Sequence, residues 1–273
     1  MLESILSAEV AERKPWELLF VAIAIGGVAT ALAALVGQGK ETGHLVVAFA
    51  SIGAAPLLVR LMAIEEEKDE VLTGGHIVAR HWPVIEAYGY YFIGIVVIVS
   101  LLHVILPGQL VNQVYSSQLD ELKAIKALAA GSDATARAVS ACRFECLLEN
   151  NLGVLALVLV FSFLFGSGAV YILTWNASIV GTLIGTIAHQ NAAAYGGPVM
   201  SYLVALPMSL IAILPHGMFE IGAYFLGGLA GGILSMAIVR GHLTHKQILA
   251  DVLTITALAV IFVIVGALVE SSY

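Results

Sequence analysis

His216 and Glu220 stand four residues apart in the run Pro215-His216-Gly217-Met218-Phe219-Glu220, with apolar sequence on both sides. On a helix that spacing puts an imidazole and a carboxylate on one face. Such a pair can act as a base, supply metal ligands or form a packing-critical polar contact; as a metal site it is two donors short of the usual four. Pro215 suits a helix start, which would place Glu220 in a first turn, where the helix dipole favours an anion. The plainer reading is therefore an interfacial turn with a first-turn carboxylate.

Asn150, Asn151 and Asn176 are the other polar groups at positions of interest. The first two open an apolar run and can either cap a helix or hydrogen-bond between helices, the latter worth about 0.6–2 kcal/mol each. Asn176 lies in the middle of an apolar run, where a polar side chain needs an interior partner or lines a cavity. His189, Gln190 and Asn191 read as interfacial, and His242 and His245 as solvated in a basic loop. Asp251 reads as a first-turn carboxylate of the last helix. The cluster Glu65-Glu66-Glu67-Lys68-Asp69-Glu70, followed by Gly74-Gly75, reads as a solvated loop or short helix. Cys142 and Cys146 share a helix face without a nearby histidine pair and read as small, semi-buried apolar residues. Three pairs of glycines four apart, Gly181/Gly185, Gly227/Gly231 and Gly228/Gly232, allow close helix approach, within the chain or in a dimer. No P-loop, GxSxG or HExxH motif is present.

The elements that must carry these residues are long apolar helices. Of the 273 residues 60% are hydrophobic and 11% charged, with a net charge of −7 and no basic patch for nucleic acid. A soluble domain carries roughly 25% charged residues. Apolar runs fall at 16–37, 44–64, 88–106, 151–165, 169–188, 200–214, 218–239 and 250–269. The first spans about 33 Å as a helix, enough to cross a bilayer, and is read as retained and not as a signal peptide. The runs 151–165 and 200–214 are short for a crossing. With Arg13 and Lys14 inside, eight full crossings would put Arg240 and Lys246 outside; seven put them inside. The expectation is an all-α polytopic bundle of seven crossings plus one short segment that is broken or re-entrant. It divides into an N-terminal two-helix extension with an acidic loop, 1–87, and a membrane domain, 88–273. Residues 109–147 form an extramembrane segment containing an amphipathic helix, with Ser132 or Asp133 capping the next.

Phe144…Asn150-Asn151, Gly166, Gly168, Asn176, Gly181 and Leu214-Pro215-His216-Gly217-Met218-Phe219-Glu220 with Ala223 resemble the stage II sporulation protein M family, over roughly Tyr88 to the C-terminus. Gly222 departs from the proline usual there. The resemblance implies a membrane protein with its N-terminus inside, whose namesake is a scaffold for cell-wall hydrolases during engulfment; members in organisms that do not sporulate lack a defined role. It points to Asn150, Asn151, Asn176, His216, Gly217, Phe219 and Glu220 as a shared centre. The leading expectation is a non-enzymatic scaffold or assembly partner in the cell membrane, with a cytoplasmic N-terminus. It works as a homodimer or in a larger complex, with the lipid bilayer as its surroundings and no cofactor or metal. The alternatives are a small-solute or ion transporter using Asn176 and His216/Glu220, and, third, a membrane-embedded hydrolase.

Overall fold

The computed structural model describes residues 7–71, 77–130, 143–166, 168–242 and 244–272. Eleven α-helices and no strand occur among them. They are α1 (Ala8–Arg13), α2 (Glu17–Val36), α3 (Thr42–Val71), α4 (Ile77–Arg80), α5 (Trp82–Ile105), α6 (Gly108–Val114), α7 (Ser116–Ala130), α8 (Arg143–Phe165), α9 (Ala169–Gln190), α10 (Pro198–Arg240) and α11 (Lys246–Ser271). The cap expected at Ser132 or Asp133, Gly74-Gly75, Cys142 and the side chain of His216 lie outside what is described. Eight apolar stretches are long enough to cross a membrane, and two of them, Pro198–Pro215 and Gly217–Arg240, belong to α10. The all-α membrane bundle expected from the sequence is the architecture found.

The helices have two common ends. At one, the charged end, Arg80 before α5 meets Asp251 near the start of α11, and Arg240 at the end of α10 meets Glu66 late in α3. At the far end, His103 and His189 bring the last turns of α5 and α9 together. There the α6–α7 segment folds back on the bundle. Gln113 donates to the Gly37 carbonyl, Ser116 to the Lys40 carbonyl, and buried Gln118 to the Gly43 carbonyl and to Ser178.

Close packing is set by small residues, because lipid offers no hydrophobic drive between helices. A Cβ on Gly181 would lie 2.9 Å from Val99 Cβ, and one on Gly185 2.6 Å from His103 Cβ, so this pair seats α9 on α5. Gly227 and Gly231 meet Leu155 and Ser162 of α8, while Gly228 and Gly232 meet Ala169 of α9 and Met62 of α3. Every one of these contacts lies within the chain. The α8–α9 turn uses Gly166 at φ 70°, a left-handed conformation that glycine adopts at little cost.

α10 runs through the Pro215-His216-Gly217 sequence without a break, which corrects the helix start expected at Pro215. The residues on both sides are apolar helix formers, and only backbone hydrogen bonding is interrupted at Pro207 and Pro215. Glu220 is therefore an interior residue of a 43-residue helix and not a first-turn anion. The earlier half does not pass from end to end. Tyr202 reaches Ser100, one turn from the far end of α5, and Glu220 reaches Glu270, beside the last residue of α11. α5 and α11 start together at the charged end, so both contacts lie toward the far end. The stretch between them, about 27 Å of helix, forms an arm along that end before α10 turns inward.

Among the described residues, α2, α3, α5, α8, α9, the second half of α10 and α11 run between the two ends. Cysteines placed at Ala193 and at Ser272, in a chain with Cys142 and Cys146 replaced by serine, will react with a membrane-impermeant maleimide from one side. A cysteine at His245 will react from the other. Labelling of Ala193→Cys and Ser272→Cys from opposite sides would mean that the arm crosses.

Candidate functional site

Asn150, Asn151 and Glu220 come together where α8 and α10 cross. Asn151, 5% exposed, donates from Nδ2 to Glu220 Oε1 at 2.6 Å. Its Oδ1 accepts from Asn150 Nδ2 at 3.1 Å and from the Tyr224 hydroxyl at 3.2 Å. Glu270 of α11 brings its carboxyl group into hydrogen-bonding contact with Glu220. The network joins α8, α10 and α11, with both functional groups of the Asn151 amide engaged. Tyr224 and Glu270 were not singled out in the sequence; Tyr224 lies one turn after Glu220, a spacing that could have found it.

The other residues of the expected centre stand apart from this network. Asn176 donates to the carbonyl of Ile172, one turn earlier in its own helix, at 2.8 Å, which removes the need for a partner on another helix. Phe219 packs edge-on to Phe262 of α11, ring centres 5.8 Å apart. Gly217 is buried, against Ile213 of its own helix. His216 sits on α10 beside it.

A second polar cluster closes the charged end. Glu65 and Glu66 are completely buried, which corrects the expected solvated loop. They continue the buried face of α3 set by Leu58, Leu61 and Met62 at helical spacing, a periodicity hidden in the sequence by the acidic run that follows. Glu65 pairs with His81 Nδ1. Glu66 binds Arg240 at 2.8 Å through one oxygen and His242 Nδ1 at 2.7 Å through the other, so His242 is not free in solvent as expected. Asp251, also buried, accepts from Arg80 at 2.6 Å and from Gln247 at 2.9 Å, and it lies past the first turn of α11. Cys146 is exposed on α8, in contrast to the semi-buried position expected.

The depth of this cluster explains its tolerance of charge. Gly166, in the α8–α9 turn, faces Val59 and Met236. Glu66 lies seven residues beyond Val59 and Arg240 four beyond Met236, so α3 and α10 project about 6–10 Å past that turn. The charges are buried by helix ends beyond the shortest hairpin. Among the described residues no three His, Cys, Asp or Glu side chains are placed to hold one metal ion. A small pocket of about 240 Å³, lined by Ser7, Ala8, Glu9, Leu57 and Arg60, lies where α1 rests on α3.

A bundle whose apolar helices pass repeatedly between two polar ends is a polytopic, multi-pass α-helical membrane protein. The chain belongs to the stage II sporulation protein M family, whose model matches residues 17–272, nearly the whole chain and including α2 and α3. It is also similar to an uncharacterized protein of the archaeon Methanocaldococcus jannaschii, 30% identical over 135 residues that make up 46% of this chain and 68% of that protein. No solved structure matches it.

Breaking one partner out of a buried ion pair leaves a charge without compensation, at a cost of about 3–5 kcal/mol. Arg80→Met is expected to destabilise the detergent-solubilised protein by about that amount, seen as a lower thermal unfolding midpoint. The double replacement R80M/D251L recovers most of the loss; equal destabilisation by single and double variants would remove the pair as the cause.

Proposed function

We propose that this protein is a non-enzymatic assembly subunit of the cell membrane, with a cytoplasmic N-terminus, that holds another membrane-embedded chain against the arm Pro198–Pro215. The carrying observation is the arm itself. Ser201, Tyr202 and Ala205 anchor one face of it on the bundle. Val199, Met200, Leu203, Met208, Ile211 and Leu214 leave a long apolar face exposed on a segment that crosses nothing. Crossing helices expose apolar faces to lipid as a condition of spanning; an arm that does not span has no such requirement. An unbroken apolar face of this length is a docking surface for a neighbouring helix. The charged end supports the same reading, since Arg240 and His242 fix the α10–α11 connection to α3 and give the subunit a rigid frame. Membership of the stage II sporulation protein M family is compatible with it.

A pathway for ions or small solutes is the competing reading. It draws on a line of polar groups along α9, in which Thr174 meets the Tyr91 hydroxyl at 2.7 Å and Ser178 meets Gln118 at 3.1 Å. Those groups are bonded to one another or to carbonyls of their own helix, as in a packing seam. Asn176, expected to line such a path, is likewise bonded within its helix.

Replacement of Leu203, Ile211 and Leu214 by serine tests the assembly reading. The variant is expected to keep its thermal midpoint and to migrate, when extracted from native membranes in mild detergent, as a smaller species than the parent. An unchanged complex size, or proton or ion flux in liposomes that is lost in Glu220→Gln, would overturn it.

A further inference from the structure

α1 is a single short helix, far below the length at which a helix holds itself together in water. It is fixed from outside: Ala8 and Ala11 are buried and seat it on α3 and α5. The Ser7 side chain accepts from the Val10 N–H at 3.3 Å and closes its start. This placement brings Glu9 beside Arg60 of α3. The two charged groups come no nearer than 3.8 Å, and each side chain is 55% exposed. A charge-assisted hydrogen bond is about 2.7–2.9 Å long, and exposed pairs wider than that add little to stability. The buried alanines, and not this pair, clasp α1 to the bundle.

The pair instead borders the cavity of about 240 Å³ between α1 and α3. Glu9 and Arg60 supply one charge of each sign, and Leu57, 5% exposed, supplies an apolar wall. A backbone N–H and the Ser7 hydroxyl, with the charge of Arg60, hold the Glu9 carboxyl below its usual range, so it carries its charge at neutral pH.

The depth of the cavity is that of a lipid headgroup. Val59, next to Arg60, faces the α8–α9 turn at Gly166, where the shortest hairpin reaches its polar boundary. Trp16 and Trp82, 49% and 54% exposed, stand at the starts of α2 and α5 at the same end, and tryptophan gathers at the membrane–water interface. From Arg60 a column of residues four apart runs down the outer face of α3 into the apolar zone: Pro56 and Ile52, both exposed, the latter by 69%.

We infer that the cavity between α1 and α3 binds the headgroup of an aminophospholipid, with its phosphodiester on Arg60, its primary ammonium on Glu9 and an acyl chain along Pro56 and Ile52. One cation beside one anion matches a zwitterion and not a headgroup of net negative charge. A guanidinium is suited to phosphate oxygens, and a carboxylate accepts the N–H bonds of a primary ammonium, which a trimethylated amine lacks. The lipid bridges α1 and α3 and ties the N-terminal helix to the membrane surface. This site lies at the charged end, away from the docking arm, and either can fail without the other.

The test is lipid retention by the full-length protein. It is reconstituted into vesicles of equal parts phosphatidylethanolamine, phosphatidylcholine and phosphatidylglycerol, extracted in mild detergent and weighed by native mass spectrometry. The parent is expected to keep phosphatidylethanolamine over each of the other two by about tenfold, the value of a charge-assisted hydrogen bond. R60Q is expected to lose the retained lipid, and E9Q to lose the preference for phosphatidylethanolamine, with thermal midpoints unchanged because both side chains are exposed. The comparison of lipids uses the unaltered protein and decides even where a variant fails to fold. Equal retention of the three lipids by the parent, or equal retention of phosphatidylethanolamine by the parent and R60Q, would overturn the site. Displacement of the lipid by glycerophosphoethanolamine, the headgroup without chains, at equal concentration would overturn a lipid as its occupant.

Discussion

A carboxylate with no access to water has to be neutralised by the protein, and Glu66 is neutralised from two directions. Arg240 closes on one oxygen from the end of α10, and His242 on the other from the connection that follows. This contact determines where α10 ends, and with it the depth of every residue before it on that helix. Gly232 then falls against Met62 and Gly231 against Ser162. Glu220 falls opposite Asn151 and Glu270. The Glu65–His81 and Arg80–Asp251 pairs bind α5 and α11 to the same level. A bundle held at one end by charge and along its length by glycine contacts leaves the far end to carry surfaces that are not needed for its own cohesion.

One such surface is the arm. The arm has one anchored face and one exposed apolar face, and it departs from the bundle between two prolines. Its position beside the Asn151–Glu220–Glu270 network joins the Pro215–Glu220 run of the sequence to a mechanical role: the network holds the point at which α10 turns from the arm into the membrane pass. Read this way, the Pro-His-Gly-Met-Phe-Glu run marks a bend within one helix, with Phe219 and Glu220 fastening its inner side to α11.

Much of this was legible in the amino-acid sequence. The lengths of the apolar runs and the placement of Arg240 and Lys246 led to seven passes and one shorter segment; the helices found supply eight apolar stretches long enough to cross, the shortest of them Pro198–Pro215. Asn151 and Glu220 stood out as polar groups in apolar surroundings, and they meet. Asn176 stood out for the same reason but is bonded within its own helix, because an intrahelical carbonyl is always within reach of an amide and leaves no trace in the sequence. Glu65 and Glu66 were hidden for the opposite reason: charge in a run reads as solvent exposure, whereas here the buried face of α3 continues two turns further, to meet cations supplied by residues more than 170 positions away. Long-range pairing of that sort has no local signature. Pro215 misled because a proline between apolar stretches marks a helix start as readily as a bend.

The central claim is that the arm Pro198–Pro215 is covered by another protein chain. Its most direct test is a photoreactive amino acid placed at Ile211, which is 71% exposed, irradiated in native membranes with the same group at Leu253 of α11 as a lipid-facing control. The account predicts a discrete protein adduct of defined mass from position 211 and none from position 253. Lipid adducts alone at both positions would contradict it.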